Sequence, residues 1–102
     1  MEFEFRQTDH EGEMVDFVRE ASGSHGIVIN PGAWTHYSYA IHDALEAVDG
    51  VLKVETHLSN VHARESWRRH SVISPAVDAV VARMSRYGYE AAVGYILKQS
   101  NA

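Results

Sequence analysis

Two histidines in this chain follow short apolar segments that are predicted to form β-strands. His57 comes directly after residues 51–56, and His36 lies shortly after Gly26–Ile29. Imidazole changes protonation near neutral pH, so a histidine at a strand end can serve as a general acid. A single such histidine is more often a structural, hydrogen-bonded residue, but the pair favours a shared polar pocket. Four others lack this placement and are interpreted as surface or structural residues: His10, His25, His42 and His70.

An arginine-rich stretch follows His57. Arg64, Arg68 and Arg69 fall within six residues, on a chain with a formal net charge of −5. A general excess of cations, which a nucleic-acid binder needs to displace counterions, is missing. The cluster therefore suggests a small anionic ligand. A solvated charged face or a subunit contact is the alternative, and composition alone does not separate the two.

Polar groups that could hold such a ligand also follow the strands. Pro31 and Gly32 end the first buried strand, because proline lacks an amide donor and glycine tolerates positive φ. This stiff turn would present the side-chain amide of Asn30 in a fixed position. The backbone amides of Leu58 and Ser59 could bind a carboxylate, as amides at strand-to-loop turns often do.

Metal and nucleotide chemistry are not expected from the motifs. The chain has no cysteine, and its histidine pairs, His36 with His42 and His57 with His62, are six and five residues apart, so neither pair shares one helical face. The glycines at 23 and 26 precede a strand instead of following one, so no phosphate-binding loop is predicted. We therefore expect no metal and no cofactor.

The elements that must position these residues alternate along the chain. Residues 2–6 have a half-buried strand pattern, and residues 8–11 read as a capping box that starts a helix ending before Gly23. The later segments are predicted as strand 26–29, helix 37–48, strand 51–56, an ambiguous stretch 76–84 and a helix with its apolar face at Tyr89, Ala92, Val93, Ile96 and Leu97. Such alternation predicts an open parallel α/β sheet, which binds ligands beyond the carboxyl ends of its strands.

Size and composition limit the class of protein. A chain of 102 residues with 45% hydrophobic and 23% charged residues is expected to form one globular domain. No apolar run is long enough to span a bilayer. The acidic, alternating start of the chain differs from a secretory signal, so a cytosolic location is expected.

Several segments together resemble the type II 3-dehydroquinate dehydratases. They are residues 8–13, residues 27–36 (IVINPGAWTH), residues 43–45, residues 57–65 (HLSNVHARE), and residues 67–71 with Ser74-Pro75. The resemblance runs from about residue 2 to the C-terminus, and the two central motifs in this order are highly specific.

The resemblance implies a flavodoxin-like open parallel sheet with helices on both faces, and a homododecamer built from trimers. It implies anti elimination of water from 3-dehydroquinate through an enolate in the shikimate pathway, with no cofactor or metal. In this pattern His57 would be the general acid. The substrate would be bound by Asn30, His36, Leu58, Ser59 and Arg68, with Asp43 reaching the site from a neighbouring subunit.

The sequence departs from the family at its start. The family's opening strand, its arginine-bearing loop with the tyrosine base, and its first helix have no match here, so residues 1–102 are interpreted as a single, N-terminally truncated domain of this type. Strand 2–6 would then lack its neighbour and strand 27–30 would be an edge. Asp78 and Arg83 stand where the family usually runs an apolar, glycine-containing strand.

The base that removes the proton is therefore unassigned. None of the five tyrosines matches the family's base, and they lie in other elements: Tyr37, Tyr39, Tyr87, Tyr89 and Tyr95. A non-catalytic ligand-binding or assembly protein derived from this fold is the alternative function. A flavodoxin-like response or nucleotide-binding module is a more distant one, because the phosphate loop is missing.

Overall fold

The computed structural model describes residues 2–59 and 65–100 as a parallel sheet flanked by helices. The three strands are β1 (Gly26–Ile29), β2 (Leu52–His57) and β3 (Ala79–Ala82), in the spatial order β1-β2-β3. The three α-helices are α1 (Glu11–Glu20), α2 (Tyr39–Ala47) and α3 (Tyr87–Ser100), and short 3₁₀ turns cover Gly32–His36, Ser66–Arg69 and Ser74–Ala76.

All three strands run in the same direction, so their carboxyl ends meet at one edge of the sheet. Ile29 pairs with Glu55, and His57 pairs with Ala82. The turn led by Asn30 and the end of β2 at His57 therefore lie at the same edge, as the alternating pattern predicted.

Helices cover both faces of the sheet. One apolar core contains Ile29 with the fully buried Ile41 and Leu45 of α2, and Met14 and Val15 of α1 pack against it. On the opposite face, Ala92 and Ile96 of α3 pack with Val54 of β2. The predicted α/β class with helices on both faces is confirmed.

The start of α2 shows how local sequence supports this arrangement. The Ser38 hydroxyl accepts a hydrogen bond from the Ile41 amide at 3.1 Å, which caps the helix. The same hydroxyl donates to the carboxylate of Glu11 in α1. This contact joins the first turns of two neighbouring helices, and α2 is confirmed in nearly its predicted position.

The prediction for the first residues was wrong in two respects. Residues 2–6 form no strand, and Phe3 and Phe5 are 68% and 81% exposed. Within the described sheet no strand pairs with this segment, and an isolated extended segment has no ladder to stabilise it. The capping box at 8–11 is also absent, because the Thr8 hydroxyl accepts from the His10 amide at 3.0 Å and His10 precedes the first residue of α1.

The ambiguous stretch 76–84 contains β3. Asp78 fixes its start: the Asp78 amide donates to the Lys53 carbonyl and the Lys53 amide donates to the Asp78 carboxylate, each at 2.8 Å. Val80 is 50% exposed, so this strand is only partly buried. No helix in the described ranges has the length and apolar character needed to cross a membrane.

Candidate functional site

The last residues of β2 place an imidazole against a carboxylate. Side chains two residues apart on a strand point to the same face, and Nε2 of His57 contacts Oε2 of Glu55. Both side chains are almost entirely buried, at 5% and 1% exposure. A buried carboxylate is stable only when its oxygens accept hydrogen bonds or meet a positive charge, so this pair forms a defined polar centre.

Two serines complete the surroundings of the Glu55 carboxylate. Ser74 Oγ donates to Oε1 at 2.9 Å, and Ser71 Oγ lies 3.4 Å from both carboxylate oxygens. Ser71 Oγ also accepts from the amides of Ile73 and Ser74, at 3.1 and 2.9 Å. The loop 71–74 is thereby folded over the acid, and it holds the orientation of the carboxylate toward His57.

A cavity of about 450 Å³ opens beside this pair. Two arginines, Arg68 and Arg69, and three hydroxyl-bearing residues, Thr35, Ser71 and Ser74, are among the residues that line it. The remaining lining residues are Glu55, His57, Pro75, Val80 and Ala82. The chemistry of this wall suits a small anion that carries hydroxyl groups.

Arg68 is oriented by its neighbours. Its Nε donates to Glu65 Oε2 at 2.5 Å, and its guanidinium carbon lies 4.2 Å from the centre of the Trp67 ring. Trp67 in turn meets His36 edge to face, with 5.1 Å between ring centres, and Nδ1 of His36 is 2.8 Å from the His70 carbonyl oxygen. The Trp67 ring therefore contacts both His36 and Arg68. His36 is not among the residues that line the described cavity.

Asn30 lies at the same sheet edge but contacts different groups. Its Oδ1 accepts from the Gly32 amide at 3.1 Å, and its Nδ2 donates to the Tyr89 hydroxyl at 3.2 Å. The turn after β2 is exposed at Leu58 and Ser59. The carbonyls of His57 and Leu58 accept from the amides of Arg83 and Ser85, each at 3.2 Å, so the turn is fastened to the segment after β3.

The structure thus separates the predicted site residues into groups. His57 and Arg68 share one cavity, Asn30, Leu58 and Ser59 lie at the edge of the sheet beside it, and Asp43 is exposed on α2. Asn60, His62 and Arg64 were part of the predicted site region and lie outside the described residues. Among residues 2–59 and 65–100, no three histidine or acidic side chains converge so that they could hold a metal ion.

Sequence reasoning missed four residues of this site: Thr35, Glu55, Ser71 and Ser74. Glu55 could have been found from the sequence. It is an acidic residue in an apolar strand, two positions before His57, so its side chain must point to the same face as that of His57. Thr35, Ser71 and Ser74 lie in segments that resemble the family, but their residue types alone did not indicate a site, since small hydroxyl residues occur in many loops. Thr35 is 1% exposed, and its hydroxyl has no hydrogen-bond partner within the described residues.

The fold and the cavity define a class: an α/β protein with a buried histidine–carboxylate pair beside arginines at the carboxyl edge of a parallel sheet. Comparison with known proteins agrees. The chain matches the family described as dehydroquinase class II over residues 1–97. It belongs to the class II dehydroquinase family.

Individual relatives show how much of the family's length the chain covers. It is 56% identical to a catabolic 3-dehydroquinase from Verticillium alfalfae, over 87% of this chain and 59% of that protein. It is 48% identical to a 3-dehydroquinate dehydratase from Thermotoga neapolitana, over 99% of this chain and 68% of that protein. The crystal structure of a type II dehydroquinase from Butyrivibrio crossotus matches with a TM-score of 0.86 and 46% identity, over 88% of this chain and 63% of that one.

Proposed function

We propose that this chain acts as a 3-dehydroquinate dehydratase. In this reaction a C–H bond next to the substrate's ketone breaks to give an enolate. The hydroxyl on the neighbouring carbon then leaves as water, and a double bond conjugated with the ketone forms, giving 3-dehydroshikimate. Relatives that carry this name are about half identical to the chain. The observation that carries the proposal is the buried contact between His57 and Glu55 in a cavity lined by two arginines.

His57 is proposed as the acid that protonates the departing hydroxyl. An ionised carboxylate can only accept, so Nε2 of His57 donates to Glu55 and Nδ1 is the nitrogen that remains for a ligand. A proton on Nδ1 then makes the ring an imidazolium. The contact with Glu55 fixes the ring, so Nδ1 keeps one position relative to a bound ligand. The strand geometry therefore gives the proposed acid its orientation.

The substrate's carboxylate and hydroxyls fit the other groups at this edge. Arg68 is only 24% exposed and is already oriented by Glu65 and Trp67. A planar guanidinium held in this way can bind an oxygen-rich ligand without losing much side-chain freedom on binding. We assign the Leu58–Ser59 amides and the Asn30 side chain to the substrate as well, since these groups end the two strands next to the cavity.

A specific observation also supports the alternative of ligand binding without turnover. The elimination needs a base, and none of the residues that line the described cavity wall is a tyrosine. All five tyrosines lie in the described ranges, and the hydroxyl of Tyr89 is engaged with Asn30. General-base catalysis contributes roughly 10²- to 10⁴-fold, so a chain without it would bind 3-dehydroquinate and convert it very slowly.

The test is the ultraviolet absorbance of the conjugated product. Native chain, His57→Asn and the matched control His25→Asn are incubated with 3-dehydroquinate, and ligand binding is measured separately by calorimetry. His25 is exposed and precedes β1, away from the carboxyl edge. Turnover by the native chain and by the His25 variant, lost in the His57 variant, supports the dehydratase. Binding without any turnover supports the alternative, and absence of binding rejects both.

Assembly and location stay predictions within this proposal. A trimer-based dodecamer would bring Asp43, exposed on α2, to a neighbouring subunit's site. Light scattering should then give a mass near twelve times that of one chain, and a monomer would contradict it. A cytosolic location predicts recovery in the soluble fraction of cells after lysis, and recovery with the membrane fraction would contradict it.

A further inference from the structure

The side-chain amide of Asn30 is held at both ends. Its oxygen accepts from the Gly32 amide two residues ahead, at 3.1 Å. Its nitrogen donates to the hydroxyl of Tyr89, 59 residues further along the chain, at 3.2 Å. The amide cannot rotate by half a turn without placing two donors against each other at Gly32. One N–H of the nitrogen is used by Tyr89, and the second is left for a ligand.

Tyr89 is itself held firmly. It is the third residue of α3, which starts at the carboxyl edge of the sheet, and Ala92 and Ile96 follow it at helical spacing and are buried against β2. The preceding Gly88 allows very close contact, since a Cβ there would lie 2.7 Å from Thr56 Oγ1. The first turn of α3 therefore has little freedom to move relative to the strand that carries His57.

We propose that Tyr89 is a positioning residue that aims the free N–H of Asn30 at the substrate. This inference rests on the proposed function, because it takes Asn30 as a substrate contact. The Gly32 amide selects the orientation of the side-chain amide, and the Tyr89 hydroxyl holds its nitrogen in place before the ligand arrives, so less freedom is lost on binding. Removing one such hydrogen bond should weaken binding by about 3- to 10-fold.

The product, 3-dehydroshikimate, is the probe, because it keeps the substrate's carboxylate and has already lost the hydroxyl that the reaction removes. Calorimetric titration compares the native chain with Tyr89→Phe, which keeps the ring and removes the hydroxyl. Tyr95→Phe is the matched control, on the same helix and 38% exposed. The expected result is about 3- to 10-fold weaker binding for Tyr89→Phe and a change of less than about twofold for Tyr95→Phe.

A double-mutant cycle with Asn30→Ala separates positioning from a general structural effect. If Tyr89 acts through Asn30, the double variant binds no more weakly than Asn30→Ala alone. Fully additive losses, or native-like binding by Tyr89→Phe, would overturn the inference while leaving the proposed function intact. Failure of the native chain to bind the product would reject the proposed function, and this inference with it.

A measurement on the native protein does not depend on how the variants fold. In NMR spectra, the product should shift the side-chain amide signals of Asn30 together with the ring signals of Tyr89. A shift at Asn30 with no change at Tyr89 would show that the hydroxyl is not coupled to the bound amide, and would overturn the inference.

Discussion

Nε2 of the His57 imidazole lies against Oε2 of the Glu55 carboxylate, and both side chains project from the same face of the same strand. Because Ser74 donates to the other carboxylate oxygen at 2.9 Å, the acid is held between the strand and the loop that closes over it. This arrangement gives the histidine a preferred orientation before any ligand is bound.

Removing the charge of Glu55 should impair the chemistry more than the binding. Glu55→Gln keeps the shape of the side chain but replaces one of the two carboxylate oxygens, which meet His57 and Ser74, with an amide nitrogen that cannot accept a hydrogen bond. We expect kcat to fall by about 10- to 100-fold, within the range of general acid catalysis, with KM changed little. The measurement is the initial rate of product absorbance. Glu90→Gln, an exposed acid in the first turn of α3, is the control and should behave like the native chain. A kcat for Glu55→Gln within about twofold of native would contradict the proposed role.

One substitution at two glycines of α3 should have opposite effects on stability. A Cβ at Gly88 would lie 2.7 Å from the buried Thr56 hydroxyl, whereas a Cβ at Gly94 meets no atom within 4 Å. Gly88→Ala should lower the free energy of unfolding by about 1–3 kcal/mol through overpacking. Gly94→Ala should raise it by about 0.5–1 kcal/mol, because alanine favours a helix interior. Urea unfolding measures both, and equal signs would show that α3 does not pack as described.

The turn between β3 and α3 contains backbone strain that glycine would relieve. Arg83 and Ser85 have φ values of 65° and 50°, a region that side chains other than glycine rarely adopt. Arg83→Gly and Ser85→Gly should each raise the free energy of unfolding by about 0.5–1 kcal/mol, after allowing for glycine's freedom in the unfolded chain. Arg86→Gly in the same turn is the control and should destabilise, since φ at Arg86 is not positive. Destabilisation by all three changes would contradict the positive φ values.

Two buried threonines allow the cavity to be tested separately from the core. The hydroxyls of Thr35 and Thr56 have no hydrogen-bond partner within the described residues, and both side chains are buried. Replacing either with valine removes an unsatisfied polar group, so each change should raise the free energy of unfolding by about 1 kcal/mol. Only Thr35 lines the cavity. Thr35→Val alters the cavity wall and should therefore also change product binding, while Thr56→Val should leave it unchanged, and equal binding by the two variants would exclude a role for Thr35 in the site.

Much of the fold followed from local pattern. The β-branched run at Gly26–Ile29 and the apolar spacing of α2 and α3 predicted these elements, because burial on one or two faces imposes a period on the sequence. The segment 2–6 has an equally good alternating pattern, yet it forms no strand. An alternating pattern indicates which face of a strand would be buried. A strand also needs a neighbouring strand to complete its hydrogen bonds, and whether one is present depends on the whole sheet.

The sequence by itself determined the chemical groups and the edge of the sheet where they collect. It indicated His57, Asn30 and the arginines, because parallel strands bring their carboxyl ends together and those residues follow the strands. Only the tertiary structure decided which groups touch. The contact of Glu55 with Ser71 and Ser74 depends on a loop folding back over β2, and the contact of Asn30 with Tyr89 joins residues 59 positions apart. Such contacts produce no periodic pattern in a single sequence, since they depend on how the helices and loops pack against the sheet.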